Sequence, residues 1–285
     1  MFDFPRLLFS LAGIFFWTIL GNASITWTTI DYPGSRYTFV NGINNKGDVV
    51  GSYRDGGDLF YHGFLLSGGV FTTIDYPSAY STSAEGINDA GDIVGTYCPV
   101  QVPCEPTGFL LHNGIMTTIR VPGREYTWIH GINNAGDMVG ESQLNKGTIG
   151  FVLKKGSGFT RIVALGAKAT YVKGINNAGD IVGYFYPPGQ TSQQRGYLLR
   201  DGVWQLMDFP RSQMTEINSV NDNHQIAGAA QMGLGVQRGF ARYNNHILIL
   251  KHTTDFVWVM GINNQAVMAG YFYDGLAFHG FIRTH

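Results

Sequence analysis

The chain has 285 residues, 44% of them hydrophobic and only 14% charged, with a formal net charge of −1. Such a composition excludes a disordered chain, which needs few apolar residues and a high net charge. It also argues against nucleic acid, which selects a strongly basic face.

In chain order, residues 1–6 carry Arg6 and the amino terminus, residues 7–20 (LLFSLAGIFFWTIL) are apolar, and Gly21-Asn22-Ala23 offers small residues before Ser24. This pattern predicts a secretory signal peptide over 1–23 and a mature domain over 24–285. The expected location is extracellular or periplasmic, free of the membrane once the leader is cleaved. An uncleaved anchor is the alternative, although the apolar stretch of 14 residues is shorter than the roughly 17–25 that a span requires.

Six copies of one glycine-rich phrase follow: GINNKGDVVG from Gly42, GINDAGDIVG from Gly86, GINNAGDMVG from Gly131, GINNAGDIVG from Gly174, SVNDNHQIAG from Ser219 and GINNQAVMAG from Gly261. Their starts lie 44, 45, 43, 45 and 42 residues apart, a period that marks a stacked or radial array of one supersecondary unit. Each period reads as four short strands. The first ends at the GIN phrase and the second runs through an apolar pair to Gly, as in Asp92-Ile93-Val94-Gly95. The third opens on a Gly-aromatic step such as Gly63-Phe64, and the fourth is TTIDYP at 72–77 or a relative of it. In Asn88-Asp89-Ala90-Gly91 the leading Asn suits an Asx turn and the Gly a positive φ, which together make a tight hairpin. Ser67-Gly68-Gly69, His112-Asn113-Gly114 and Asp201-Gly202 are equally short links between the third and fourth strands.

The array opens on a fourth strand, Thr28 to Pro33, and closes on a third, Gly280-Phe281-Ile282. The first strand can therefore complete the last sheet. The expected fold is all-β, a six-bladed β-propeller of four-stranded antiparallel blades with the ring closed by the N-terminal strand. A β-solenoid would need capping repeats. Gly51, Gly95, Gly140, Gly183, Gly228 and Gly270 are expected to make room for aromatic rings between blades. Cys98 and Cys104, the two cysteines of the chain, are expected to form a disulfide, as an even pair does in an exported protein. A two-thiolate metal site would want CxxC spacing and a second pair.

The GIN-N-x-GD-x-VG phrase followed by His62-Gly63-Phe64-Leu65-Leu66, and again by His279-Gly280-Phe281, resembles the HAF-type extracellular repeat family of bacterial secreted proteins. The likeness spans residues 27–283, with Gly in place of the family's Ala and no His in four repeats. The resemblance implies export and a propeller-like β array; it supplies no catalytic residues.

Both sets of tight turns fall on one rim. The opposite rim carries the variable connections, where specificity usually sits. Five of its fourth-to-first connections hold a cation, at Arg36, Arg124, Lys168, Arg211 and Lys251. These either attract an acidic ligand or serve solubility. First-strand aromatics, Tyr37, Phe39, Tyr126, Trp128, Tyr171, Phe256 and Trp258, either stack on sugar rings or pack between blades. Immediately before the repeat Gly stand Asn41, Glu85, His130, Lys173, Asn218 and Met260, placed to line a central channel. Glu85, His130, Lys173 and Glu216 include a possible base and acids. Asp48, Asp92, Asp137 and Asp180 each bring one carboxylate to a turn, which fits hairpin chemistry better than calcium.

The expectation is a secreted, non-catalytic binding or interaction scaffold that presents variable loops to carbohydrate or an acidic ligand. Arg36, Tyr37, Arg124, Tyr126, Trp128 and Trp258 are its binding candidates. Its partners would be an extracellular glycan or a surface protein, with a monomeric chain and neither cofactor nor metal. The alternative is an extracellular carbohydrate-active enzyme, a lyase or hydrolase, using Glu85, His130, Lys173 and Glu216 at the channel.

Overall fold

The computed structural model describes residues 25–284 apart from 58, 101, 102, 145, 146, 191, 234 and 245. The leader assigned to residues 1–23 lies outside the described residues. Among those described, no helix is long and apolar enough to cross a membrane.

After β1 (Thr26–Ile30) come five runs of four strands. The first is β2 (Tyr37–Ile43), β3 (Val49–Arg54), β4 (His62–Ser67) and β5 (Val70–Ile74). The second is β6 (Ser81–Ile87), β7 (Ile93–Cys98), β8 (Thr107–His112) and β9 (Ile115–Ile119). The third is β10 (Tyr126–Ile132), β11 (Met138–Leu144), β12 (Gly147–Leu153) and β13 (Phe159–Ile162). The fourth is β14 (Ala169–Ile175), β15 (Ile181–Tyr186), β16 (Arg195–Arg200) and β17 (Val203–Leu206). The fifth is β18 (Met214–Val220), β19 (Ile226–Gln231), β20 (Gln237–Tyr243) and β21 (His246–Ile249). The chain then adds β22 (Val257–Ile262), β23 (Met268–Tyr273) and β24 (Phe278–Thr284).

Each run forms one antiparallel four-stranded sheet, and the sixth sheet has the order β1-β24-β23-β22. Strand β1 pairs with β24 from Thr26↔Thr284 to Ile30↔Gly280, so strands distant in sequence close the ring. The first strands β2, β6, β10, β14, β18 and β22 each touch the next around one axis, and β22 meets β2. The fold is the six-bladed propeller expected from the repeat.

The repeat phrase explains the inner strands. Every inner strand shifts register one residue before its repeat Gly, or before Ser219 in the fifth blade, for example between Val40 and Gly42 and between Ala84 and Gly86. That β-bulge bends the strand and redirects one side chain. The expected role of Gly95 and its counterparts needs correction here. A Cβ on Gly95 would lie 2.1 Å from the Ser83 carbonyl oxygen and only then 2.8 Å from the Phe109 ring. The first obstacle is a carbonyl of the paired first strand. The ring belongs to the neighbouring strand of the same blade, since Gly95 pairs with Phe109.

Alternate inner-strand residues Val40, Ala84, Ile129, Val172, Ile217 and Val259 have no exposed surface, and these form the blade-to-blade core. The aromatics of the Gly-aromatic step, Phe64, Phe109, Phe151, Tyr197, Phe240 and Phe281, are also fully buried. Burying each such ring contributes roughly 2–3 kcal/mol.

Two closed collars of hydrogen bonds lock the tight-turn end. The first Asn of each NN pair donates Nδ2 to the matching backbone carbonyl of the next blade: Asn44 to Asn88, Asn88 to Asn133, Asn133 to Asn176, Asn176 to Asn221, Asn221 to Asn263 and Asn263 back to Asn44. Its Oδ1 meanwhile closes the expected Asx turn, as Asn88 accepts from the amides of Ala90 and Asp92. The second residue accepts through Oδ1 from the equivalent amide of the preceding blade, in a circle through Asn45, Asp89, Asn134, Asn177, Asp222 and Asn264.

Candidate functional site

The pleat of the inner strands builds a funnel. Side chains in a strand alternate between faces, so the residues that flank the buried core set all face the axis. At the narrow level stand Asn41, Glu85, His130, Lys173, Asn218 and Met260, which line a central channel of about 180 Å³ together with the GINN turns. One pleat higher come Phe39, Ser83, Trp128, Tyr171, Glu216 and Trp258, all but one of them partly exposed aromatic or acidic side chains. Their cross-strand partners share that face: Ser52, Thr96, Glu141, Tyr184, Ala229 and Tyr271.

Three of the four sequence-level acid–base candidates come together with one residue that sequence reasoning missed. His130 Nε2 lies 2.8 Å from Glu141 Oε2, and His130 Nδ1 lies 3.9 Å from Glu85 Oε2. Lys173 Nζ stands 3.0 Å from His130 Nε2 and donates to Glu141 Oε1 at 3.4 Å. Ser83 Oγ donates to Glu85 Oε1 at 2.6 Å. Burial, the largest influence, lowers the His130 pKa and Lys173 lowers it further, but the charge and hydrogen bond of Glu141 together with Glu85 outweigh them and the net shift is upward. Burial likewise opposes ionisation of Glu141, and the positive charges of His130 and Lys173 overcome it to leave the carboxyl below its ordinary range. The two carboxylates favour the protonated imidazole, and Lys173, a donor only, opposes it.

Glu216 belongs to the same funnel through its electrostatic coupling to Lys173, Tyr184 and Tyr271. Burial raises its pKa, with Lys173 offsetting only part of the effect. Burial also pushes the phenols of Tyr184 and Tyr271 upward, so both rings keep their protons and remain hydrogen-bond donors.

Aromatic rings make the funnel wall. Tyr271 stacks on Trp258 at 5.2 Å, and Phe39 meets Tyr271, Phe278 and Tyr61 at 5.1, 4.9 and 5.9 Å. Across the mouth Tyr171 stacks on Tyr184 at 4.7 Å. Beside the second blade these rings open into a pocket of about 390 Å³, lined by Phe39, Tyr61, Trp128 and Tyr271 with Glu85 and the disulfide-bonded Cys98 and Cys104. Ser81 fixes one wall, accepting from the Tyr61 amide through Oγ at 3.0 Å.

The structure sorts the candidate binding residues by position. Trp128 lines the pocket, and Trp258 supports Tyr271 from behind. Tyr126 meets Trp128 edge-on at 5.9 Å. Tyr37 lies under the guanidinium groups of Arg36 and Arg54, at 5.2 and 4.8 Å. Arg124 is half-buried in its connection, where its amide donates to the Val121 carbonyl; no contact brings it to the pocket lining. The inner-strand aromatics therefore face the funnel, and the blade-to-blade packing falls to their aliphatic neighbours. Glu141, Tyr184 and Tyr271 were missed because they sit on second strands. The usable signal was the residue immediately after each VG or AG Gly, which pairs with the funnel-facing position of the first strand.

The turn carboxylates are engaged within the fold. Asp48 and Asp92 accept from Asn44 and Asn88, Asp137 accepts from the Lys155 amide, and Asp180 accepts from Asn176 and Arg200. Burial works against ionisation of Asp180, and the Arg200 and His224 hydrogen bonds reverse that to lower its pKa.

No protein-family model matches the chain, and no curated protein does either. Solved structures do match in fold. The fucose-binding complex of the Aleuria aurantia lectin has a TM-score of 0.54 at 11% identity, covering 87% of this chain and 93% of the lectin. Virginiamycin B lyase from Staphylococcus aureus gives 0.50 at 9%, covering 92% and 100%. Trypanosoma rangeli sialidase gives 0.53 at 9%, covering 88% of this chain and 54% of the sialidase. At such identities the likeness is one of fold.

Proposed function

We propose that the chain is an exported carbohydrate-binding propeller of the HAF-type repeat kind, taking a saccharide into the funnel at its variable rim. The observation that carries this reading is the company of partly exposed rings and short polar groups in one pocket: Phe39, Tyr61, Trp128 and Tyr271 beside Asn41, Ser81, Ser83 and Glu85. Sugar rings present apolar C–H faces and hydroxyl edges, and such a wall serves both. Export is supported by the apolar leader with its small-residue cleavage signal and by the Cys98–Cys104 bond, since disulfides persist in oxidising compartments. That a lectin is among the proteins of like fold is consistent with the reading.

The test is a glycan array followed by calorimetry on any hit. Trp128→Ala is expected to weaken the best ligand about tenfold, equivalent to ~1.4 kcal/mol. An empty array, or a ligand indifferent to both Trp128→Ala and Phe39→Ala, would refute the proposal.

The contiguous Glu85, His130, Glu141 and Lys173 favour a second reading, acid–base chemistry on the bound saccharide. Turnover of a bound glycan that disappears in Glu85→Gln and His130→Ala would replace the binding function with an enzymatic one. Tight binding without turnover would leave the scaffold in place.

A further inference from the structure

The pocket beside the disulfide has an unusual balance of groups. Among the described residues its lining includes four aromatic rings, Phe39, Tyr61, Trp128 and Tyr271, and a single charged side chain, Glu85. The cations nearby are paired: Lys173 and His130 face Glu141 at 3.4 and 2.8 Å, His130 Nδ1 also lies 3.9 Å from Glu85 Oε2, and the Arg54 guanidinium lies over Tyr37 and the lining ring Tyr61 at 4.8 and 5.3 Å without itself lining the pocket. Thr96 Oγ1, also in the lining, is buried with no hydrogen-bond partner. Ring faces carry negative potential and attract cations within about 6 Å. Glu85, the carboxylate that lines the pocket, repels a carboxylate or sulfate and attracts an ammonium.

We infer that this pocket selects a saccharide bearing a free amine, with the ammonium held between Glu85 and the Phe39, Trp128 and Tyr271 rings. This rests on the glycan-binding reading and narrows it to an amino sugar. Ser81 Oγ is held by the Tyr61 backbone and Ser83 Oγ by Asn41 and Glu85, which leaves Thr96 as the lining hydroxyl without a partner in the fold. The basic residues of the outer rim, Arg36 and Arg124 among them, lie outside the pocket lining and do not set its preference.

The experiment is calorimetry of the full exported chain with a β-1,4-linked glucosamine tetramer and its fully N-acetylated counterpart, which differ only in the charge and bulk at nitrogen. The free-amine oligomer is expected to bind at least tenfold more tightly. Raising sodium chloride from 20 mM to 500 mM is expected to shrink that ratio, because screening acts on the ammonium arm alone. Glu85→Gln is expected to bind the two oligomers alike. The wild-type ratio and its salt dependence decide the matter even where the variant does not fold. Equal affinities in the wild type, tighter binding of the acetylated oligomer, a ratio insensitive to salt, or no binding of either would overturn the inference. Neutral hits on the glycan array with no amine preference would sink this inference and leave the broader reading standing. Tetramethylammonium chloride serves as a competitor: displacement of the free-amine oligomer is expected, and failure to displace it at any concentration up to 100 mM counts against the ammonium site.

Discussion

His130 shows how much one residue's chemistry depends on neighbours from other blades. Its raised pKa is the outcome of a contest in which burial and Lys173 pull down and Glu141 and Glu85 together pull up harder. A group with a raised folded pKa contributes stability that is complete below its ordinary value, near 6.5 for imidazole, and is lost as pH rises through the folded value. Glu141 works in the opposite sense: its depressed pKa contributes stability above the ordinary carboxylate range, lost as pH falls through the folded value. The wild-type urea midpoint is therefore expected to decline as pH is raised above about 6.5. His130→Gln should remove that alkaline decline and shrink the acid limb as well, because the His130 charge is the strongest force holding the Glu141 pKa down. Parallel pH profiles for the two proteins would show that His130 is not the group responsible. Of the four residues that meet here, Glu85, His130 and Lys173 were legible in the sequence because they precede the repeat Gly. Glu141 was not, because which second-strand residue faces the axis depends on the register of the β10–β11 pair, Trp128↔Glu141.

At the scale of the element, the hairpin phrase does two jobs with one side chain. Asn176 accepts from the Asp180 amide to close its own turn, and donates to Asp180 Oδ2 and to the Asn221 carbonyl of the next blade. Sequence reasoning found the first job, since Asx turns are local. The second is a contact over 45 residues, and no local rule reveals it. Asn176→Ala leaves buried groups unpaired at about 1 kcal/mol or more for each lost bond. The expected cost is about 3 kcal/mol in denaturant unfolding, with little change in the denaturant slope. A cost below about 1 kcal/mol would mean that water or a neighbour replaces the collar. The turn also shows which departures the fold tolerates. Four copies place Gly at the positive-φ position, at 47, 91, 136 and 179, while the fifth and sixth hold His224 at φ 60° and Ala266 at φ 57°. The Asx closure survives the loss of Gly, as Asn263 still accepts from the Gln265 and Val267 amides.

The whole molecule depends on a strand that the chain lays down first. Strand β1 fills the outer edge of the last sheet, buries Ile30, and brings Asp31 to His279 at 3.0 Å. Deleting residues 25–31 would expose the edge of β24, a template for pairing with another chain. The truncated protein is expected to lose several degrees of thermal midpoint and to self-associate, measured by calorimetry and light scattering against the full domain. An unchanged midpoint with a monomeric product would show that the closing strand is dispensable. The architecture was legible because the repeat array opens on a fourth strand and closes on a third. The pairing of β1 with β24 follows from that phase difference and from the need to satisfy a sheet edge.

The sequence by itself determined the six-blade count, the order of strands within each blade, the tight turns and the ring closure, because all follow from local periodicity and turn chemistry repeated in register. Tertiary structure alone decided which second-strand residues join the funnel and which of its groups lie within reach of one another. The inner strands share one pattern, so the repeat specifies that six positions face the axis at each level. It leaves unspecified which unlike residues, such as Glu85, Glu141 and Tyr271, come within reach of one another. That depends on the bulge, the cross-strand register and the angle between blades, all of them set by contacts between residues far apart in the chain.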